Sequence, residues 1–246
     1  MTETTAARPA ATSESVAPVA PAAPALQEKI AGAKALIAAE LSKPGLACIT
    51  SSFQTECVAL VHMLIQQRPD VPVLFLETGY HFPETLAYRD QIVKDWKLNL
   101  VNLEARQSVA DQEKQFGILY QTEPNKCCGF RKVEPLFAGL SGYDLWFTAL
   151  RREQSPTRAN LQPVEAFKLP VGKSLEKISP LAMWTNRDVW AYLSLHNIPH
   201  LPLYDKGYTS IGCWPCTNPP VDPGNARSGR WQGKEKLECG IHIQAD

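Results

Sequence analysis

Cys127 and Cys128 are adjacent, and Cys213 and Cys216 are separated only by Trp214 and Pro215. Two compact thiol pairs, far apart in sequence, can converge on one site in the folded chain. A zinc site, an iron–sulfur cluster and a pair of disulfides are the geometries open to such a set. The adjacency helps to choose among them. A structural zinc needs four sulfurs closing on one atom, and its knuckles are usually spaced by about two to four residues. Neighbouring side chains tend to diverge, so adjacent thiolates close poorly on one ion, whereas a cubane offers each thiolate its own iron. The spacing therefore favours a 4Fe-4S cluster on Cys127, Cys128, Cys213 and Cys216 over zinc. A chance vicinal pair beside a thioredoxin-type redox pair is the bland alternative.

A sheet must position these residues. Leu46–Thr50 reads as a short buried strand, and Ser51-Ser52-Phe53-Gln54-Thr55-Glu56 leads from it into a helical pattern over Cys57–Gln67. Strand, hydroxyl-rich turn and helix start together make an anion site, with ordinary N-capping by Ser or Thr as the commoner explanation of the hydroxyls. Val73–Leu76 is a second buried strand, followed by Glu77-Thr78-Gly79-Tyr80 and a helix from Pro83 to about Lys97; Leu98–Leu103 is a third. Leu26–Leu41 and Lys126–Leu140 read as helical, Asp144–Leu150 and Leu175–Ile178 as strands, and Thr185 caps a helix to about Asn197 with Asp188 in a capping box. Strands alternating with helices predict an α/β fold with a mostly parallel sheet and flanking helices. Ligands then bind at the carboxyl ends of the strands, where Ser51, Ser52, Phe53 and Glu77 fall. Arg151-Arg152, at the end of another strand, is a candidate oxyanion holder, against the alternative of a solvated charge cluster.

Composition bounds the function. The 246 residues carry 25 basic and 25 acidic side chains, so no global field draws the chain to nucleic acid or membrane. No apolar run approaches the roughly 18 residues of a membrane span. Residues 1–25 are mostly Ala, Pro, Thr and Ser, the composition of a disordered leader without a secretory signal. Seven cysteines, an odd count, argue for a reducing, cytoplasmic compartment. The expected organisation is a leader to residue 25, a nucleotide- and cluster-binding α/β domain over 26–226, and a mobile Arg-rich tail over 227–246.

Five runs in this order carry a resemblance: Glu77–Thr85, Cys127–Leu136, Arg151–Ser155, Arg227–Trp231 and Glu238-Cys-Gly-Ile-His242. Together they resemble the assimilatory sulfonucleotide reductases over about residues 46–242. The four paired cysteines resemble the branch that reduces adenylyl sulfate (APS) with a 4Fe-4S cluster, rather than the branch that uses the 3′-phosphorylated nucleotide (PAPS). The resemblance implies an adenine-nucleotide α-hydrolase-like sheet related to the PP-loop ATP pyrophosphatases. It implies reduction of APS to sulfite and AMP in cysteine biosynthesis, with Cys239 as nucleophile forming a thiosulfonate and thioredoxin or glutaredoxin as thiol donor. Lys132, Arg152, Arg227 and Arg230 are implied as the cations around sulfate and phosphate. His242 is implied as a modulator of Cys239 or a leaving-oxygen acid, with plain packing as its alternative. A homo-oligomer is left open. Three positions depart from the pattern: Gln54 where Gly is common, Glu77 where Asp is commoner, and Ala149 where Gly is usual. Rival readings are a PAPS reductase that keeps the cluster, an ATP pyrophosphatase-type tRNA thiolase, and a non-catalytic iron–sulfur redox sensor.

Overall fold

A computed structural model describes residues 24–242 apart from Pro223 and Leu237. The expected leader lies outside the described residues, save for its last two positions, which open α1 (Pro24–Leu41).

The strands are β1 (Ala47–Thr50), β2 (Pro72–Glu77), β3 (Asn99–Glu104), β4 (Leu145–Phe147), β5 (Val164–Lys168) and β6 (Ser174–Ile178). They form one sheet in the order β3-β2-β1-β4-β6-β5, parallel throughout except for β5, which pairs antiparallel with β6 at the edge. The chain starts in the middle of the sheet and winds outward in both directions, so β1 and β4 flank the switch point where α/β sheets open a ligand crevice.

Strands buried on both faces need apolar residues at successive positions, and the alternation shows which face each serves. Ile49, Val73, Phe75 and Phe147 point to the larger core, under α1, α2 (Thr55–Ile65) and α8 (Asn186–Leu195). Cys48, Leu74 and Trp146 point the other way, against Leu136 and Leu140 of α7 (Glu134–Leu140). In α1 the buried Leu26, Ile30, Ala33 and Ile37 recur at helical spacing, so one stripe docks on the core. Thr185 caps α8 in the expected box: its hydroxyl accepts from Asp188 N, and Asp188 accepts from Thr185 N.

The segment between β3 and β4 is broken into short pieces. After α3 (Pro83–Trp96) and β3 come α4 (Val109–Phe116), α5 (Leu119–Thr122) and α6 (Pro124–Cys128), then a π turn over Gly129–Val133 before α7. The wider π turn follows the vicinal cysteines directly, and such turns cluster at functional sites. It separates two neighbouring cations. Arg131 is buried and donates to Thr78 O, Gln107 O and Gln112 Oε1, while Lys132 faces the cavity described below. The predicted strand Asp144–Leu150 is shorter than expected. Beyond Phe147 the chain leaves the sheet, and Thr148, Ala149 and Leu150 line the cavity instead.

Candidate active site

The four paired cysteines come together. Cys127 and Cys128 end α6, and Cys213 precedes and Cys216 ends a single 3₁₀ turn. All four line one small pocket with Tyr80, Tyr120 and Trp231, and none is in a disulfide. Apolar packing from Leu119, Val109, Phe116 and Phe130 walls it off. The Cys-x-x-Cys loop is held by the turn after β2: Trp214 N donates to Tyr80 O at 2.8 Å, and the Cys213 thiol donates to Thr78 Oγ1 at 3.4 Å. Burial, reinforced by the neighbouring thiols, pushes Cys127 up to about 12 and Cys216 up to about 11. With no metal bound these groups are held as neutral thiols, even with Lys132 beside them. As a donor set they suit a thiolate-ligated group. Among the described residues no group of three or more His, Cys, Asp or Glu is arranged to hold a metal ion.

Beside this pocket a cavity of about 980 Å³ opens at the carboxyl ends of β1, β2 and β4. Lys132, Cys213 and Trp231 line both spaces. Ser51 and Ser52 reach the cavity, yet neither caps α2: Ser51 Oγ accepts from Phe53 N, and Gln54, the residue at the cap, makes no side-chain cap bond. The helix start is therefore left facing the cavity, which favours the anion-site reading over ordinary capping. Phe53 takes φ of 56°, and its ring is buried edge-on to Phe75, so it anchors the loop and does not line the cavity. Gln54 has an extended backbone that needs no glycine. Its side chain accepts from Ile211 N and donates to Ser52 Oγ, tying this loop to the Cys-x-x-Cys loop. At the third departure, Ala149 is buried among core residues, so its methyl is packed.

The cavity is lined by Lys132, Arg151, Arg158, Arg227 and Arg230. Arg151 pairs with Glu153, and Arg158 and Arg227 pair with Glu238. Among the described residues, Lys132 and Arg230 form no ion pair. The Nε atoms of Arg151 and Arg230 are buried without a hydrogen-bond partner. Burial works against charge on Lys132, but the thiolate forms of Cys213, Cys239 and Cys128 outweigh it and hold the ammonium above the usual lysine value. Arg230 is placed by the cysteine loop. Thr217 bridges to it, Trp231 N donates to Cys216 O, and the guanidinium packs against Gly212, where a Cβ would collide with it.

Besides Phe53, two further expected ligand contacts lie elsewhere. Arg152 does not reach the cavity: it begins a 3₁₀ turn and its Nε donates to Leu161 O, so Arg151 and Arg158 supply the positive charge here. Glu77 does not line the cavity either. Its longer side chain accepts from Gly79 N at 2.9 Å and lies 3.3 Å from Arg89, bracing the turn. His81 takes the wall position instead, its Nε2 2.8 Å from Leu76 O. The short sequence signal for it was a polar residue in the loop at a strand end.

Cys239 is half-buried and lines the cavity with Arg227 and Arg230. The tail is docked around it. Lys234 and Lys236 donate to Gln121 O and Asn125 Oδ1, and Ile241 packs on the core beside α7. The His242 ring stacks on Trp146 with centroids 5.5 Å apart and planes 18° apart. Burial first, then Arg158, Lys177 and Arg227, hold His242 well below the usual histidine range, so it packs as a neutral ring. Cys57, the other thiol on the cavity wall, is pushed up to about 11, mainly by burial.

A family profile described as the phosphoadenosine phosphosulfate reductase domain matches residues 47–219. An adenosine 5′-phosphosulfate reductase of Streptomyces coelicolor is 45% identical over 196 residues, covering 79% of this chain and 81% of its own. A phosphoadenosine 5′-phosphosulfate reductase of Gloeobacter violaceus is 43% identical over 79% of this chain and 81% of its own. The crystal structure of phosphoadenylyl-sulfate reductase from Candida auris superposes with a TM-score of 0.62 at 21% identity, covering 80% of this chain and 97% of that one, a likeness of fold. Among the described residues no helix is long and apolar enough to cross a membrane. Matched by that profile and by such relatives over most of its length, the chain is an enzyme of the phosphoadenosine phosphosulfate reductase family.

Proposed function

We propose that this enzyme reduces APS to sulfite and AMP with electrons from a dithiol protein of the thioredoxin or glutaredoxin class. The observation that carries the reading is one shared wall: Cys239, Lys132 and Arg230 face a single cavity at the strand ends, and Lys132 also faces the four-thiol pocket. The relative named adenosine 5′-phosphosulfate reductase supports APS as substrate. The similar identity of the relative named for PAPS makes direct comparison of the two nucleotides the deciding test.

The nucleotide's anionic groups meet the open start of α2, with Ser51 and Ser52 beside it, and the cations opposite. The Sγ of Cys239, as thiolate, attacks the sulfate sulfur. A sulfur–sulfur bond forms, the bond from that sulfur to the phosphate oxygen breaks, and AMP leaves with the electron pair. Lys132, Arg230 and Arg227 hold the oxyanions against which an anionic nucleophile must approach, a task that charge fixed in advance performs best. A donor thiolate then attacks Cys239 Sγ, sulfite leaves with the electron pair, and the second donor thiol releases Cys239 by closing the donor disulfide. Sulfur gains two electrons and the dithiol loses two. The neutral, stacked His242 serves as a packing anchor for the tail. Opening of the tail would admit the bulky donor, because Cys239 is half-buried in the docked position.

Cys127, Cys128, Cys213 and Cys216 would hold a 4Fe-4S cluster. What supports it is the donor set of four unbridged thiols in an apolar pocket. Bound there, it would supply structural cross-linking of the loop that carries Arg230 and a fixed anionic charge beside Lys132. Steady-state sulfite release from APS and from PAPS, with thioredoxin as donor, tests the reading. A higher kcat/KM for APS is expected, and a ratio favouring PAPS would reassign the substrate.

A further inference from the structure

The most densely held polar group in the tail is the carboxylate next to the nucleophile. Arg158 grips Glu238 with two parallel bonds: Nε to Oε1 at 3.0 Å and Nη2 to Oε2 at 2.8 Å. Arg227 Nη2 lies 3.5 Å from Oε2, and the Thr157 hydroxyl donates to Oε1 at 3.2 Å. Both partners of the fork are 12% exposed. The remaining terminal nitrogen of Arg158 donates to Gln154 Oε1, and Gln154 Nε2 donates to Glu56 Oε1 at 2.7 Å. Glu56 stands in the first turn of α2, directly behind the Ser51–Ser52 loop. A continuous set of hydrogen bonds thus runs from the predicted nucleotide loop to the residue before Cys239.

We propose that Glu238 is a positioning residue: its fork with Arg158, braced by Gln154 on Glu56, latches the tail and sets where the Cys239 sulfur sits in the cavity. A bidentate guanidinium–carboxylate pair fixes a plane as well as a distance, so it orients the backbone that carries the next side chain. Gly240, at φ of +85°, turns the chain immediately after Cys239, and His242 then stacks on Trp146. Cys239 is therefore held between two anchors, one polar and one aromatic. Displacing a reacting atom by about 1 Å can cost on the order of a hundredfold in rate. The inference rests on reading Cys239 as the nucleophile.

The test is alkylation of the full-length protein by iodoacetamide, followed cysteine by cysteine by mass spectrometry. Glu238→Gln should raise the rate at Cys239 by about tenfold, with Cys57 unchanged, because the charged fork is lost. Gln154→Leu should shift the same site in the same direction by less. In turnover, Glu238→Gln should lower kcat by about tenfold to a hundredfold with KM for APS little moved. Glu238→Asp, which keeps the charge but shortens the reach, serves the same test if the Gln variant does not fold. An unchanged Cys239 alkylation rate, or an unchanged kcat, would overturn the proposal. Alkylation is read without catalysis, so this failure is distinct from a failure of the nucleophile assignment, which would appear as activity in Cys239→Ser.

Discussion

The two thiol regions of this molecule meet at Lys132, Cys213 and Trp231 and differ in the rest of their surroundings. Cys127, Cys128, Cys213 and Cys216 lie in a pocket walled by Leu119, Phe116 and Phe130, where burial pushes the Cys127, Cys128 and Cys216 thiols above the usual thiol range. Cys239 lies on the wall of a wide cavity, next to Arg227 and Arg230, on a tail held by a few side chains. A thiol that binds a metal centre gives up its proton as the bond forms and can stay buried, because the metal stabilises the thiolate. A thiol that must attack and be attacked needs cations and access. On the proposed reading one residue type has two tasks, set by the elements that carry it: a helix end and a tight turn for one, an irregular tail for the other.

The largest effects should come from exchanging these tasks. Cys239→Ser should keep its iron and lose sulfite formation by at least about a thousandfold, since a hydroxyl is a far poorer nucleophile near neutral pH. Cys213→Ala should show the reverse pattern first, with iron and brown absorbance lost and the activity loss following from the loosened loop. Iron analysis alongside sulfite release separates the two. Lys132→Ala, at the shared wall, should lower kcat/KM by about a hundredfold to a thousandfold, and Lys132→Arg should restore little of it, because a planar fork does not replace a compact ammonium.

Outside both regions the effects should be smaller and of another kind. His62 donates or accepts at 2.8 Å with Tyr192 Oη and lies against His196; burial first, then His196, brings it down to about 4. Below about pH 6.5 the unfolded chain takes up a proton that the folded one refuses until about pH 4, so stability falls as pH drops through that window. Urea unfolding of His62→Gln should show that part of the loss removed, on the order of 1–2 kcal/mol at the acid end. Arg152→Ala should leave kcat/KM within about threefold of the parent, because its guanidinium faces Leu161 O and not the cavity.

The parallel core was legible in the sequence because buried strands read as apolar runs, as in Val73–Leu76, and because Thr185 and Asp188 spell out a cap. Helix α4 and strand β5 were not read. The α4 helix is capped by Ser108 with Asp111, but only Gln112 in it is buried, so its apolar signal is thin. Strand β5 sits at the sheet edge, where one buried residue, Phe167, suffices. At the site, types and spacing identified the thiols and most of the cations that meet at the two spaces. They could not say which arginine of the Arg151-Arg152 pair turns inward, because that depends on the chain leaving β4 extended through Arg151 before the 3₁₀ turn. Nor could they show that Glu77 serves its own turn, a bond set by the φ of +73° at Gly79.

The division of labour between the thiols is tested most directly by mixing the anaerobic enzyme with radiolabelled APS in the absence of donor and locating the label. The account predicts one sulfonate equivalent on the peptide carrying Cys239, none on Cys57 or the four paired cysteines, and its release as sulfite when thioredoxin is added. Label on Cys57, or full turnover by Cys239→Ser, would contradict it.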